Sequence, residues 1–273
     1  MLQTITYGIS DIEPYINWLY FYHAWGLSGK PQSEKDRMRR EAEEKLHAWD
    51  GHYHCHARFG IFDANSDGDD LLIDGVRLPM LRQQKPTQPG EPNLCLADFV
   101  RPKDGGVVDQ VGVFCTSVDV ALVDDHATDD YQRMLAQVLS DRLAEGTAER
   151  MHEEVRRHYW GYAPDEQLTM EQTHLEEYQG IRPAVGYPSM PDASMNFILD
   201  QLLDMKKIGI RLTQSGMMTP HASVSGLMLA HPKSHYFDLG KIGEDQLKDY
   251  ARRRGLPVEL MRKWLRVAEK ADQ

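Results

Sequence analysis

The chain has 273 residues, of which 41% are hydrophobic and 27% are charged, as is typical of a globular protein with a sizeable core. Its formal net charge of −11 argues against nucleic acid or an anionic membrane as a partner. No apolar run approaches the length that spans a membrane, and the first residues do not begin a secretion signal.

Helices are predicted to open the chain. Within 11–29, residues such as Tyr15 and Trp18 belong to an aromatic pattern with three- and four-residue steps, which predicts a helix with one buried face. A charged, solvent-exposed helix is predicted at 34–49. The two form an N-terminal helical segment at about 11–50.

Strands and helices are mixed in the rest of the chain. The predicted strands are 52–62, 70–78, 107–118, 210–213, 222–230 and 236–239. The predicted helices are 128–159, 169–179, 194–207, 244–254 and 257–269. Thr169 and Gln172 form a capping-box pattern, and Gly180 is expected to end the helix that they begin. Because the strands do not alternate with helices as βαβ units, we expect an α+β fold. A single domain over 1–273 would hold a twisted, mostly antiparallel sheet flanked by helices.

The stretch 178–191 is the most informative part of the chain, and it reads YQGIRPAVGYPSMP. Its prolines and glycines exclude the interior of a helix or a central strand. It presents the guanidinium of Arg182 and the phenol of Tyr187 among free backbone groups, an arrangement that can hold a small polar ligand. A rigid connector, whose arginine caps a helix and whose tyrosine fills the core, is the competing interpretation.

Two motifs resemble metal sites but favour other structures. The segment DANSDG at 63–68, followed by Asp74, has the ligand spacing of a calcium loop, but its strand-like flanks favour a turn over 63–69. His52, His54 and His56 alternate on a predicted strand, where such residues lie roughly 7 Å apart, too far to share one metal. We therefore expect no metal site.

The three cysteines are widely spaced and lie in apolar surroundings. Cys55, Cys95 and Cys115 indicate buried thiols of a reducing cytoplasm, rather than a disulfide framework or a zinc site. No serine-nucleophile or glycine-rich nucleotide motif is present, so no catalytic side chain is predicted.

Two carboxylates are candidate ligand groups. Glu145 and Glu176 lie on predicted helices, where most glutamates are solvated surface groups. A ligand that carries both a carboxylate and positive charge would need such groups near Arg182, because a guanidinium binds the carboxylate and repels the positive end.

Seven segments together resemble one known family, in its order and roughly its spacing. They are NLCLADFV (93–100), DRLAE (141–145), YWGYAP (159–164), YQGIRPAVGYP (178–188), ASVSG (222–226), HPKSHY (231–236) and DQLKDYARRRG (245–255). The fourth looks like the R-P-A-x-G-Y-P signature of the activation domain of cobalamin-dependent methionine synthase. The matches cover nearly the whole chain, which is similar to this family throughout.

The resemblance implies a role in methionine biosynthesis. In the full enzyme this domain binds S-adenosylmethionine and docks over the cobalamin-binding domain when cobalamin has been oxidised to inactive cob(II)alamin. An electron from flavodoxin or another reductant and a methyl group from S-adenosylmethionine then restore methylcobalamin. A chain that starts at Met1 suggests a split enzyme with its other domains on separate polypeptides, although a domain excised from a longer protein would look similar. No turnover by the isolated chain is expected.

The resemblance also implies which residues hold the ligand. Arg182 would bind its carboxylate as a bidentate pair, and Tyr187 would pack against the ligand and face the corrin. The other matching positions are backbone groups at Ala184 and Gly186, the adjacent aromatics Tyr236 and Phe237, and the carboxylates Glu145 and Glu176. Because the methyl group passes from a sulfonium to cobalt, no protein nucleophile or base is required.

The chain departs from the family at three places, one of which is Leu227 and Met228, which replace aromatics. Asn17 stands where the family has an aspartate that binds the ligand's amino group, so an acceptor is kept and a charge is lost. The segment after Pro191 has Ala193 and lacks the family's histidine. The departures at Asn17 and Ala193 leave open an alternative, a module that docks on a corrinoid protein and has lost S-adenosylmethionine binding. A stand-alone methyltransferase is a third reading.

Overall fold

The computed structural model describes residues 2–126 and 129–265, and within them six strands form one sheet and two short strands pair separately. The strands are β1 (Leu2–Gly8), β2 (His54–Asp67), β3 (Asp70–Ile73), β4 (Val76–Pro79), β5 (Asp109–Val118), β6 (Arg211–Leu212), β7 (Met218–Thr219) and β8 (Ser223–Met228).

The long strand β2 organises an antiparallel sheet. The strand order is β4–β3–β2–β5–β8, with β1 also paired to β2. Along one edge of β2, β1 pairs with the first half, with Leu2 opposite Gly60, and β3 pairs with the end, with Ala64 opposite Ile73. All five pairings are antiparallel, which confirms the predicted α+β fold with a mostly antiparallel sheet.

Helices flank this sheet, and the longest packs against β5 and β2. Its buried residues Leu135, Leu139 and Leu143 recur every four positions and so form one apolar face. The helices are α1 (Ile9–Ile12), α2 (Trp18–Ala24), α3 (Gln32–Trp49), α4 (Ala121–Asp125), α5 (Asp130–Glu154), α6 (Met170–His174), α7 (Asn196–Leu203), α8 (Glu244–Arg254) and α9 (Val258–Trp264).

The single helix predicted at 11–29 is wrong. The chain forms α1, a 3₁₀ turn over Glu13–Tyr15, and then α2. Pro14 lies in the 3₁₀ turn, and Asn17 has extended backbone angles and begins α2 as its N-cap, so the aromatic pattern is interrupted twice. The charged helix predicted at 34–49 is confirmed as α3.

The helix predicted at 169–179 is shorter than expected. The Thr169–Gln172 capping box is present, but α6 ends five residues early, and Gly180 does not end it. Gly180 has a φ of 88°, and a Cβ there would lie 2.5 Å from the Leu229 carbonyl oxygen. The glycine is therefore required by close backbone contact with the segment after β8.

The other predicted elements are mostly present with altered ends. The predicted strand 236–239 is wrong, because these residues form an irregular segment. Helix 128–159 is α5 followed by a π-helical turn over Val155–Tyr159, and residue 128 lies outside the described residues. The helix predicted at 194–207 forms as α7 with a 3₁₀ turn on either side. The helix predicted at 257–269 extends past residue 265, and that end lies outside the described residues.

Apolar side chains pack on both faces of the sheet. One cluster joins the sheet to α3 and α5, and the other joins it to α7 and α8. Cys55, Cys95 and Cys115 are buried in these clusters as free thiols, as predicted. Burial raises the pKa of Cys55 and of Cys95 to about 12, so both are neutral and unreactive.

Residues of both metal-like motifs take part in other contacts. The calcium-like segment forms the end of β2 up to Asp67, and Gly68 begins the turn into β3. The Asp67 carboxylate pairs with Arg77 and Lys103. His56 bonds to Asp119 at 2.8 Å, beside His54. Within residues 2–126 and 129–265, no group of three potential ligands could hold a metal, and no helix could cross a membrane.

Candidate functional site

The proline-rich segment lies along the free edge of β8. The backbone groups of Ile181 and Leu229 exchange two hydrogen bonds of 2.9 Å, and the Leu227 N–H donates to the Pro183 carbonyl at 3.0 Å. A Cβ at Gly226 would lie 2.2 Å from that carbonyl oxygen. Glycine at 226 therefore allows the segment to approach the sheet.

A cavity of about 600 Å³ opens between this segment, α5 and the residues around 236–238. Eight of the nine predicted site residues line it: Asn17, Glu145, Glu176, Arg182, Ala184, Tyr187, Tyr236 and Phe237. Gly186 is the exception. It lies in a tight turn, with a φ of 92°, and its N–H donates to the Met190 carbonyl at 2.8 Å.

The Arg182 side chain is buried beside the cavity and is held by a carboxylate that the sequence did not single out. Its Nη2 donates to Glu149 Oε2 at 2.8 Å. Among the described residues, neither Nε nor Nη1 of Arg182 has a partner. Burial lowers the pKa of Arg182, but Glu149, Tyr178, Tyr236 and Glu145 together raise it by more, so the net pKa lies above the ordinary value.

Aromatic residues fix the backbone at the same position. The Arg182 N–H donates to the Tyr236 hydroxyl at 2.8 Å. Tyr178 packs its edge against His152, with ring centroids 5.1 Å apart, and the guanidinium of Arg156 lies over the Tyr178 ring at 4.0 Å. Burial raises the pKa of Tyr236 and of Tyr178, so both phenols stay neutral hydrogen-bonding groups.

Tyr187 and Glu145 meet at the cavity. The Tyr187 hydroxyl donates to Glu145 Oε1, and the Tyr187 residue is 48% exposed. Burial and the charge of Glu145 raise the pKa of Tyr187. The pair joins the proline-rich segment to α5 at the edge of the cavity.

Glu176 reaches the cavity from an unusual backbone conformation. It lies after the end of α6 with a φ of 60°, so the prediction that Glu176 lies in a helix is wrong. Burial and the neighbouring charge of Glu149 raise the pKa of Glu176, and Arg182 opposes them. A positive group in the cavity would relieve this repulsion.

Asn17 lines the cavity while it caps a helix. Its Oδ1 accepts a hydrogen bond from the Leu19 N–H at 3.1 Å. The acceptor that the sequence offered to a ligand is therefore already engaged.

The segment after Pro191 packs inside the protein. The buried Asp192 accepts hydrogen bonds from the Ser194 N–H at 2.9 Å and the Tyr250 hydroxyl at 2.8 Å. Ala193 begins a 3₁₀ turn and does not line the cavity.

Sequence reasoning missed Glu149, Arg142 and Tyr178 as members of this site. A usable signal existed for Glu149, because it lies four positions after Glu145 and therefore on the same helical face. Tyr178 could not be assigned, since its contacts depend on residues from α5 and the π-helical turn.

Fold and site together define an α+β protein with a charged, aromatic-lined cavity beside an antiparallel sheet. The chain matches the family model of the vitamin B12-dependent methionine synthase activation domain over residues 8–255. It is also similar to a crystal structure of the MetH reactivation domain bound to AdoHcy, with a TM-score of 0.92 and 37% identity over 100% of this chain and 91% of that chain. The chain belongs to the family of vitamin B12-dependent methionine synthase activation domains.

Proposed function

We propose that this chain binds S-adenosylmethionine in the 600 Å³ cavity and supports reductive methylation of cob(II)alamin to methylcobalamin. The observation that carries the proposal is the convergence of Arg182 with Glu145, Glu149 and Glu176 around one cavity. An amino-acid ligand with an added sulfonium has one carboxylate and two positive groups, and these four side chains offer the complementary charges.

Size and the solved relative support the same ligand. Small-molecule sites span roughly 300–1,000 Å³, and this cavity lies within that range. The relative's AdoHcy is what remains of S-adenosylmethionine after it has given up its methyl group. Both molecules share the adenosine and the amino-acid tail that the cavity would have to recognise.

Each proposed contact uses a group at or beside the cavity. Arg182 would bind the carboxylate, while Glu145 and Glu176 would face the positive groups. Backbone groups at Ala184 and Gly186 would hold the adenine or ribose edges. Tyr236 and Phe237 would pack against the ligand. Asn17 would have to approach the ligand's amino group with an oxygen that also caps α2.

The reaction needs a cobalamin-binding partner. Cobalamin on the methionine synthase partner domain or subunit would accept one electron from a flavodoxin-like or other reductant and the methyl group from S-adenosylmethionine. The half-exposed Tyr187 would face the corrin. This chain's own share is binding, orientation and exclusion of water, since no acid or base is needed to move a methyl group from sulfur. The isolated chain would have no turnover.

The setting of the chain is part of the proposal. We propose one domain over 1–273 that acts in the cytoplasm as a component of a split methionine synthase. The buried reduced cysteines support such a compartment. Co-purification with a cobalamin-binding protein from the same genome tests the partner, and its failure would contradict the split arrangement.

Calorimetry tests the ligand. Titration of the chain with S-adenosylmethionine and with AdoHcy should give saturable binding of one molecule per chain. Millimolar ligand would reveal even a weak complex, since a dissociation constant of about 1 mM corresponds to a binding free energy of only about 4 kcal/mol. Absence of heat and of any thermal shift at that concentration would therefore rule the ligand out.

One observation favours a second candidate function. Because Asn17 is neutral and its oxygen caps α2, the amino-group contact is weakened, as in a corrinoid-docking module that no longer binds S-adenosylmethionine. Binding of a cobalamin-domain partner without binding of the ligand would favour this alternative.

A further inference from the structure

Glu149 lines the cavity and contacts the Arg182 guanidinium. It lies one helical turn after Glu145 on α5, on the face that lines the cavity, and its Oε2 accepts from Arg182 Nη2 at 2.8 Å. The two side chains are only 13% and 11% exposed. A buried ion pair is costly to desolvate, so its presence here calls for a role other than stability.

The contact leaves most of the guanidinium uncommitted. Arg182 Nη2 carries two hydrogens, and Glu149 takes one of them. Within the described chain, Arg182 Nε, Arg182 Nη1 and Glu149 Oε1 have no partner. Glu149 thus holds the guanidinium through one oxygen only, and the Nε and Nη1 donors of the arginine are buried without an acceptor from the described residues.

Two anchors then define the place of Arg182. Tyr236 holds its backbone N–H at 2.8 Å, and Glu149 holds the end of its side chain. An arginine side chain has many rotamers, and fixing it before the ligand arrives removes that entropy from the cost of binding.

We propose that Glu149 is a positioning residue that orients the Arg182 guanidinium to receive a ligand carboxylate, and that it thereby selects ligands with an amino-acid tail. The inference rests on the proposed function, because it assumes an adenosyl amino acid in the cavity. Glu149 need not touch the ligand, since it acts through Arg182.

A matched pair of ligands isolates this role. AdoHcy and 5′-methylthioadenosine both carry adenosine and an uncharged thioether, but only AdoHcy has the amino-acid tail. Calorimetry on Glu149→Ala should show AdoHcy affinity reduced about tenfold or more, because a charged contact has lost its orientation. The affinity for 5′-methylthioadenosine should stay unchanged. Glu149→Gln keeps an oxygen acceptor for Nη2 and should fall between Ala and wild type.

Two controls separate positioning from general damage. Asp130→Ala removes an exposed carboxylate on the same helix that pairs with Arg133 and does not line the cavity, so neither affinity should change. In an Arg182→Ala background, Glu149→Ala should have no further effect on AdoHcy affinity, because the two residues act as a unit.

Several results would overturn the inference. They are an equal loss of both affinities in Glu149→Ala, no loss of either, or independent effects of Glu149→Ala and Arg182→Ala. If Glu149→Ala does not fold, Glu149→Gln decides, since a change in the ratio of the two affinities supports positioning and an unchanged ratio refutes it. Wild-type protein that binds neither ligand would refute the proposed function, and this inference with it.

Discussion

Tyr236 holds the backbone of Arg182, whose N–H donates to the Tyr236 hydroxyl oxygen at 2.8 Å across 54 residues of sequence. An irregular segment after the last sheet strand thus fixes the proline-rich segment at the residue proposed to bind the ligand's carboxylate. Together with the Glu149 contact to the guanidinium, it holds Arg182 at both ends.

Tyr236→Phe should lower both stability and ligand affinity. The change leaves the Arg182 N–H without its acceptor, and an unsatisfied buried donor costs about 1–3 kcal/mol. Urea denaturation should show that loss, and calorimetry with AdoHcy should show weaker binding. Tyr159→Phe, at a ring that is 45% exposed, serves as the control and should be neutral. A Tyr236→Phe protein with wild-type stability would contradict the assigned contact.

Gly226→Ala should displace the proline-rich segment. Its Cβ would lie 2.2 Å from the Pro183 carbonyl oxygen, so the strand or the segment must shift at a cost of about 1–3 kcal/mol. Gly105→Ala is a matched control, because its Cβ would meet Pro102 at an ordinary 3.9 Å. Thermal unfolding of both variants checks the difference, and equal stabilities would refute the close approach.

Ligand affinity should depend on pH through Glu176. Burial and Glu149 raise the Glu176 pKa above its ordinary 4.5, and a cationic ligand favours the ionised carboxylate. S-adenosylmethionine should therefore bind more tightly as pH rises through this raised pKa, with protons released on binding. Calorimetry in buffers of different ionisation enthalpy measures the release. Glu176→Gln should abolish this proton release, whereas Glu171→Gln, at an exposed position of α6 that does not line the cavity, should not.

Protein stability should fall in mild acid because of His152. This imidazole is fully buried, and burial with the charges of Arg156 and Arg182 lowers its pKa well below 6.5. The unfolded chain gains a proton at His152 below about pH 6.5 and the folded chain does not, so its contribution to the free energy of unfolding falls by about 1.4 kcal/mol per pH unit there. Urea denaturation between pH 5 and 7.5 should show a shallower slope for His152→Gln. An identical slope would contradict the burial of neutral His152.

The sequence predicted correctly those features that depend only on residues close together along the chain. The charged helix α3 and the capping box of Thr169 and Gln172 need no distant partner. Strand β1 was not predicted, because its pairing is decided by β2, with Leu2 opposite Gly60. Segment 236–239 looked like a strand, but its tyrosine serves a contact to Arg182 instead of a ladder.

The site could be predicted only in part. Composition and charge gave the proline-rich segment with Arg182, and Glu145 and Glu176, as candidates. The family resemblance assigned these residues to one ligand, and the structure brings them to one cavity. Glu149 was not predicted as a site residue, because a helical glutamate is ordinarily a solvated surface group. Only the fold places Arg182 beside it. The capping role of Asn17 was not predicted either, because the aromatic pattern indicated one continuous helix over 11–29, whereas α2 begins after Asn17.

The central claim is that Arg182 makes this cavity a site for S-adenosylmethionine. Isothermal titration of wild type and Arg182→Ala, under identical salt and pH, tests it most directly. We expect saturable binding by wild type and a loss of roughly a hundredfold or more in the variant, the effect of removing one partner of a buried charge pair. Equal affinities for S-adenosylmethionine in the two proteins would contradict it.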